Sequence, residues 1–131
     1  MSHQRSNLNF MATRIWVGAS DDHLEGAVEI DVTSLPESPA SGEDVDLVRV
    51  NDILRHVDKV YKAGGVVLIK CKFGVSRAPT VAYLYCIGSD LPFDRRIGHP
   101  NTPWREFREL HYEYYHAKTW ATTHQEASCT S

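Results

Sequence analysis

The sequence predicts an α/β fold in a single domain, and three features predict it. Residues 66–69 form a fully apolar run rich in β-branched side chains, as a buried strand would, and lead straight into Lys70-Cys71-Lys72-Phe73-Gly74-Val75-Ser76-Arg77. The stretch leaving that octet carries Pro79 where the first turn of a helix accepts it, because the N–H that proline lacks would have no partner there. Elsewhere, 14–19 and 27–33 have strand character, while apolar residues recur at helical spacing in 44–63 and 102–118. At 131 residues the chain is long enough to bury one core.

In chain order, residues 1–12 lack periodicity and are expected to be a flexible tail, with the domain spanning 13–119 and a second tail at 120–131. Arg14 opens the first expected strand, 14–19. Ser20-Asp21-Asp22-His23 supplies capping residues ahead of a short turn or helix, and 27–33 is the second strand, with Asp31 as a structural residue within it. Residues 35–43, with prolines, a glycine and serines, read as a loop.

Residues 44–63 admit two readings. Leu47, Val50, Leu54, Val57 and Tyr61 recur three and four apart, as on one long amphipathic helix. Alternatively 45–50 is a strand and only 53–62 is helical, with Asp52 at its cap. After the octet, 78–87 is expected to be a helix ended by Gly88. Residues 91–100 are a loop, and Thr102-Pro103 reads as a cap with proline at the first helical position. Trp104, Phe107, Leu110 (or His111) and Tyr114 would line the buried face of that last helix, reaching Lys118.

A net charge of −3 and a pI near 6.1 exert no global pull towards nucleic acid or acidic membranes, so any anion selectivity must be local. No apolar run reaches the ~18 residues of a membrane span and no signal-peptide pattern is visible, so the chain is expected to be cytoplasmic and without a membrane anchor. Cys71, Cys86 and Cys129 show neither Cys-x-x-Cys nor metal-ligand spacing, which favours a reducing compartment. The histidines are scattered with no His-x-x-x-His, so neither metal nor cofactor is expected.

The octet has a chemical logic. Backbone N–H groups between a strand and a helix N-terminus converge on a point and bind an anion, helped by the helix dipole. Arg77 adds a planar fork that takes two phosphate oxygens at once. Cys71 in that positive field is placed to act as a thiolate nucleophile on phosphorus.

Cys71-x5-Arg77, with Gly74 and Ser76 inside it, resembles the phosphate loop of the protein tyrosine phosphatase superfamily. The continuation Ser76-Arg77-Ala78-Pro79-Thr80 resembles its dual-specificity branch. Ile15-Trp16-Val17-Gly18-Ala19, Glu29-Ile30-Asp31-Val32-Thr33 and Val57-Asp58-Lys59 with Gly64-Gly65 extend the likeness over roughly 13–116, with gaps. The resemblance implies a dual-specificity-like fold, a mostly parallel central sheet flanked by helices. It implies metal-independent phosphomonoester hydrolysis through a cysteinyl phosphate, on phosphotyrosine and phosphoserine or phosphothreonine proteins. Cys71 is then the nucleophile, and Lys72, Phe73, Gly74, Val75, Ser76 and Arg77 bind phosphate. The expected partner is a phosphorylated protein met by a monomer.

The family also implies an aspartic acid as proton donor. Its usual spacing from the cysteine falls near Ala40, which cannot serve. The candidates are Asp52, then Asp44, then Glu37 or Glu43; the family pattern favours the strand reading of 45–50, which delivers Asp52. Lys70 stands where the family usually has histidine, and Ala78 where it usually has a hydroxyl that stabilises the departing thiolate. Slow turnover with accumulated phosphoenzyme follows, unless Ser76 or Thr80 substitutes. Few elements are seen to wall a deep slot, so a shallow pocket is expected. Lys72 raises phosphoinositide or RNA 5′-phosphatase activity as an alternative, and the departures raise a phosphate-binding pseudophosphatase. Asn101 matches a position near the pocket edge, and Cys86 is either a disulfide partner for Cys71 or a core residue.

Overall fold

A computed structural model describes residues 8–35, 47–72, 77–94 and 108–121. In chain order the elements are β1 (Asn9–Ala12), β2 (Ile15–Ala19), β3 (Ala27–Asp31), α1 (Leu47–Lys62), β4 (Val66–Cys71), α2 (Arg77–Ser89), α3 (Tyr112–His116) and a 3₁₀ turn (Thr119–Ala121). The strands form one sheet in the order β1-β2-β4-β3. β4 is central, parallel to both β2 and β3, which explains why it is apolar without alternation. β1 runs antiparallel to β2, so the sheet is mixed rather than mostly parallel.

That antiparallel edge corrects the expected N-terminal tail. Met11 and Ala12 are buried, and Phe10 packs edge-on against Trp16 at 5.4 Å. The strand exists because β2, which starts at Ile15, folds back on it as a tight antiparallel hairpin.

Val67, Ile69 and Cys71 of β4 share one core with Ile15 and Val17 of β2, Ile30 of β3, Val50, Leu54 and Val57 of α1, and most of α2. Strand alternation sends Leu68 and Lys70 to the opposite face. The continuous α1 corrects the reading of 45–50 as a strand: Val50, Leu54 and Val57 are its buried stripe, as their three-and-four spacing requires. No described helix is long and apolar enough to cross a membrane.

α2 is buried almost all round and passes through Gly88 instead of stopping there. A Cβ at Gly88 would lie 2.5 Å from Trp120 Nε1 and 2.8 Å from the Tyr115 carbonyl, so this glycine serves close approach and not termination. The stop comes at Asp90, which takes the left-handed conformation (φ 59°), while Leu91 N–H closes onto the Cys86 carbonyl at 2.9 Å.

The C-terminal stripe also differs from expectation. Leu110 is 79% exposed, whereas Tyr115 and Trp120 are fully buried. Lys118, at φ 62°, breaks the helix and turns the chain so that Trp120 packs on Tyr85 and under Gly88. The expected tail at 120–131 therefore begins with a core residue. Thr102, Pro103, Trp104 and Phe107 lie outside the described residues.

Candidate active site

Three parallel strands end together: Ala19 pairs with Cys71, and Asp31 pairs with Lys70. The crevice beyond the C-terminal ends of parallel strands is where α/β sheets bind ligands. β4 delivers Cys71 there, and α2 begins there with Arg77. Phe73, Gly74, Val75, Ser76 and Asn101 lie outside the described residues.

Cys71 is 2% exposed, and its Sγ accepts the backbone N–H of Ala78 at 3.4 Å. An N–H of the first helical turn is thus aimed at the sulfur. Ser20 on the neighbouring β2 exit steadies the same corner: its Oγ donates to the Cys71 carbonyl and its N–H to the Lys72 carbonyl, each at 3.4 Å. Asp22 accepts Ala19 N–H at 2.8 Å and folds that exit back.

Arg77 is buried. Its Nη1 donates to the carbonyls of Leu35 at 2.9 Å and Thr33 at 3.2 Å. Both protons of Nη1 are thereby committed. The Nε–Nη2 edge, two parallel N–H groups, is the part of a guanidinium that grips a phosphate bidentately, and Nη1 carries the bonds that Arg77 makes among the described residues.

Lys70 does not join the site. Its Nζ reaches Glu29 Oε1 at 2.9 Å on the other face of the sheet, and Glu29 Oε2 in turn meets His23 Nδ1 at 2.8 Å. These partners, His23 first and then Lys70, hold the Glu29 carboxyl below the usual range. Thr80, on the first turns of α2, has a buried hydroxyl with no hydrogen-bond partner among the described residues.

Asp52 sits within α1, its side chain 64% exposed and paired with Arg55. Arg55 also donates to the Trp120 carbonyl at 2.8 Å, so the pair belongs to the contact between α1 and the C-terminal segment. The structure thus places Asp52 on a helix flank, and not at the strand end that the second reading of 44–63 gave it. Asp44, Glu37 and Glu43 lie outside the described residues. Asp31 accepts the Thr33 hydroxyl and N–H, which, with Lys70 and Arg77 adding attraction, hold its carboxyl below the usual range. It therefore stays ionised near neutrality and cannot donate a proton there.

Cys71 and Cys86 are both free thiols. Cys86 lies in the core, where burial pushes its thiol up to about 12, which makes it inert. Ser20, Thr33 and Leu35 escaped the sequence reading. Asp31-Val32-Thr33 carries the spacing of a side-chain-closed turn, but the arginine it serves is distant in sequence.

No protein-family profile matches the chain, and no curated protein does. Among solved structures it is similar to one described as human tyrosine phosphatase-like serine/threonine/tyrosine-interacting protein, at a TM-score of 0.59 and 13% identity. The match covers 80% of this chain and 97% of that one. The small α/β domain with its mixed four-stranded sheet thus has a phosphatase-like fold.

Proposed function

We propose that this protein is a cysteine-dependent phosphatase that hydrolyses phosphomonoesters of proteins on tyrosine and on serine or threonine. The observation that carries the reading is the arrangement of one helical turn. Ala78 N–H points at Cys71 Sγ, and Arg77 is anchored by Nη1. The likeness to a solved tyrosine phosphatase-like, serine/threonine/tyrosine-interacting protein supports the phosphatase-like fold on which this reading is built.

In the first step the Cys71 thiolate attacks phosphorus, and the ester oxygen leaves with a proton from an acid. In the second, water attacks the cysteinyl phosphate, the sulfur departs as thiolate, and inorganic phosphate is released. Arg77 and the N–H groups from Lys72 to Arg77, Phe73, Gly74, Val75 and Ser76 included, hold the equatorial oxygens while charge moves. The proposal needs no metal, since these groups supply the positive field. With Ala78 offering no hydroxyl to the departing sulfur, the second step is the slow one.

Asp52, Asp44, Glu37 and Glu43 are the proton-donor candidates, and the engagement of Asp52 by Arg55 counts against Asp52. pH–rate profiles of Asp52→Asn and Asp44→Asn decide between the two aspartates: the basic limb disappears in the variant that lacks the acid.

The test of the reading is hydrolysis of para-nitrophenyl phosphate by wild type and by Cys71→Ser. Turnover that vanishes in the variant supports it. Phosphate binding without turnover in the wild type would make the site a binding module, and turnover surviving in Cys71→Ser would remove Cys71 from the chemistry.

A further inference from the structure

We propose that Asp31 and Thr33 are positioning residues that set the angle of the Arg77 guanidinium, an inference that rests on the phosphate-binding reading of Cys71 and Arg77. Arg77 Nη1 is held by two backbone carbonyls, those of Thr33 and Leu35, and both belong to the turn by which the chain leaves β3. A guanidinium is planar, so fixing Nη1 at two points fixes the direction of the Nε–Nη2 edge. Whatever holds the turn therefore aims the arginine.

Several bonds hold it. Val32 N–H reaches the Lys70 carbonyl at 2.8 Å, which continues the β3–β4 pairing by one residue. Leu35 N–H returns to the Val32 carbonyl at 3.0 Å, and the Leu35 side chain is buried in the core. The remaining freedom is at residue 33, and Asp31 removes it. One carboxylate oxygen, Oδ1, accepts the Thr33 N–H at 2.8 Å and the Thr33 hydroxyl at 2.6 Å. The Asp31 carboxyl is held below its usual range chiefly by these two bonds, so it remains an acceptor at neutral pH.

Asp31 touches neither Cys71 nor a reacting atom in this scheme. It acts through Thr33 on Arg77. Asparagine offers the same Oδ1 acceptor, whereas alanine offers none, and that difference separates the clamp from simple charge.

The experiment uses the full chain and two readouts, inorganic phosphate affinity by titration and the Arg77 Nε–H signal by nuclear magnetic resonance. Asp31→Ala is expected to weaken phosphate binding roughly tenfold and to broaden or shift the Arg77 signal, as misaimed groups at a site do. Asp31→Asn should stay within about threefold of wild type and keep the signal, since it retains the acceptor. If Asp31→Ala fails to fold, Thr33→Val against Thr33→Ser makes the same comparison, because only serine keeps the hydroxyl. An Asp31→Ala protein with altered melting temperature but unchanged phosphate affinity and Arg77 signal would overturn the proposal. So would an Asp31→Asn protein as impaired as the alanine variant. A wild type that binds no phosphate would sink the proposed function instead, and the Arg77 signal would still report on the clamp.

Discussion

The two ends of α2 are built for opposite purposes. The first turn gathers polar groups around the Cys71 sulfur, whereas the last turn is enclosed by aromatic side chains, with the Tyr115 hydroxyl and Trp120 Nε1 buried and without a hydrogen-bond partner among the described residues. At the first turn Ala78 N–H faces the Cys71 sulfur, Arg77 is anchored by Nη1, and the Thr80 hydroxyl is enclosed without a partner among the described residues. At the last turn Gly88 gives up its side chain so that Trp120 and Tyr115 can close on the helix, and Asp90 ends it in a left-handed conformation. Unsatisfied polar groups cost stability at either end, and the aromatic packing of Tyr85, Tyr115 and Trp120 offsets part of that cost.

If the ends are separable, changes at the far end should alter stability while the folded protein keeps its phosphate affinity. Trp120→Ala should cause the largest loss, ~3–5 kcal/mol by denaturant titration, because it empties a fully buried site. Reduced phosphate affinity in the folded fraction would show that the ends are coupled. At the near end, Arg77→Lys should lower kcat/KM by on the order of 10²- to 10³-fold, since lysine cannot supply the planar fork. A loss below about tenfold would remove Arg77 from the reaction's charge stabilisation.

Smaller effects sharpen the contrast. Gly88→Ala should cost ~1–3 kcal/mol, because its methyl group would collide with Trp120 and Tyr115. No loss would mean that the close approach is not tight. Asp90→Gly should raise stability by up to ~1 kcal/mol, since glycine takes a positive φ without strain; destabilisation would give the Asp90 side chain a role of its own.

Local signals in the sequence were the legible ones. The strand into Cys71 and the helix after it could be read from residues 66–69 and Pro79, because a buried strand and a helical first turn leave marks on adjacent residues. The spacing of Val50, Leu54 and Val57 described α1 correctly, whereas the β-rich run 45–50 suggested a strand that the resemblance then favoured. Elements with distant causes were hidden. Gly88 needs Trp120 against it, and the turn at Thr33 acquires its meaning only when Arg77 arrives. Leu110 or His111 was expected to join Tyr114 on the buried face: Leu110 is exposed, His111 and Tyr114 are half-buried with Tyr114 packed on the core, and the turn at Lys118 adds Trp120 to it. The site followed the same division: Cys71 and Arg77 lie within one local motif, whereas the residues that orient Arg77 come from another strand.

The central claim is that the sulfur of Cys71 receives the phosphoryl group. Acid-quenched reactions with para-nitrophenyl phosphate, sampled before the first turnover ends and mapped by mass spectrometry, test it directly. A burst of nitrophenol is expected, with one phosphoryl adduct on Cys71 and a slower steady state set by its hydrolysis. Nitrophenol released with residue 71 unmodified at every time point and no burst would contradict it.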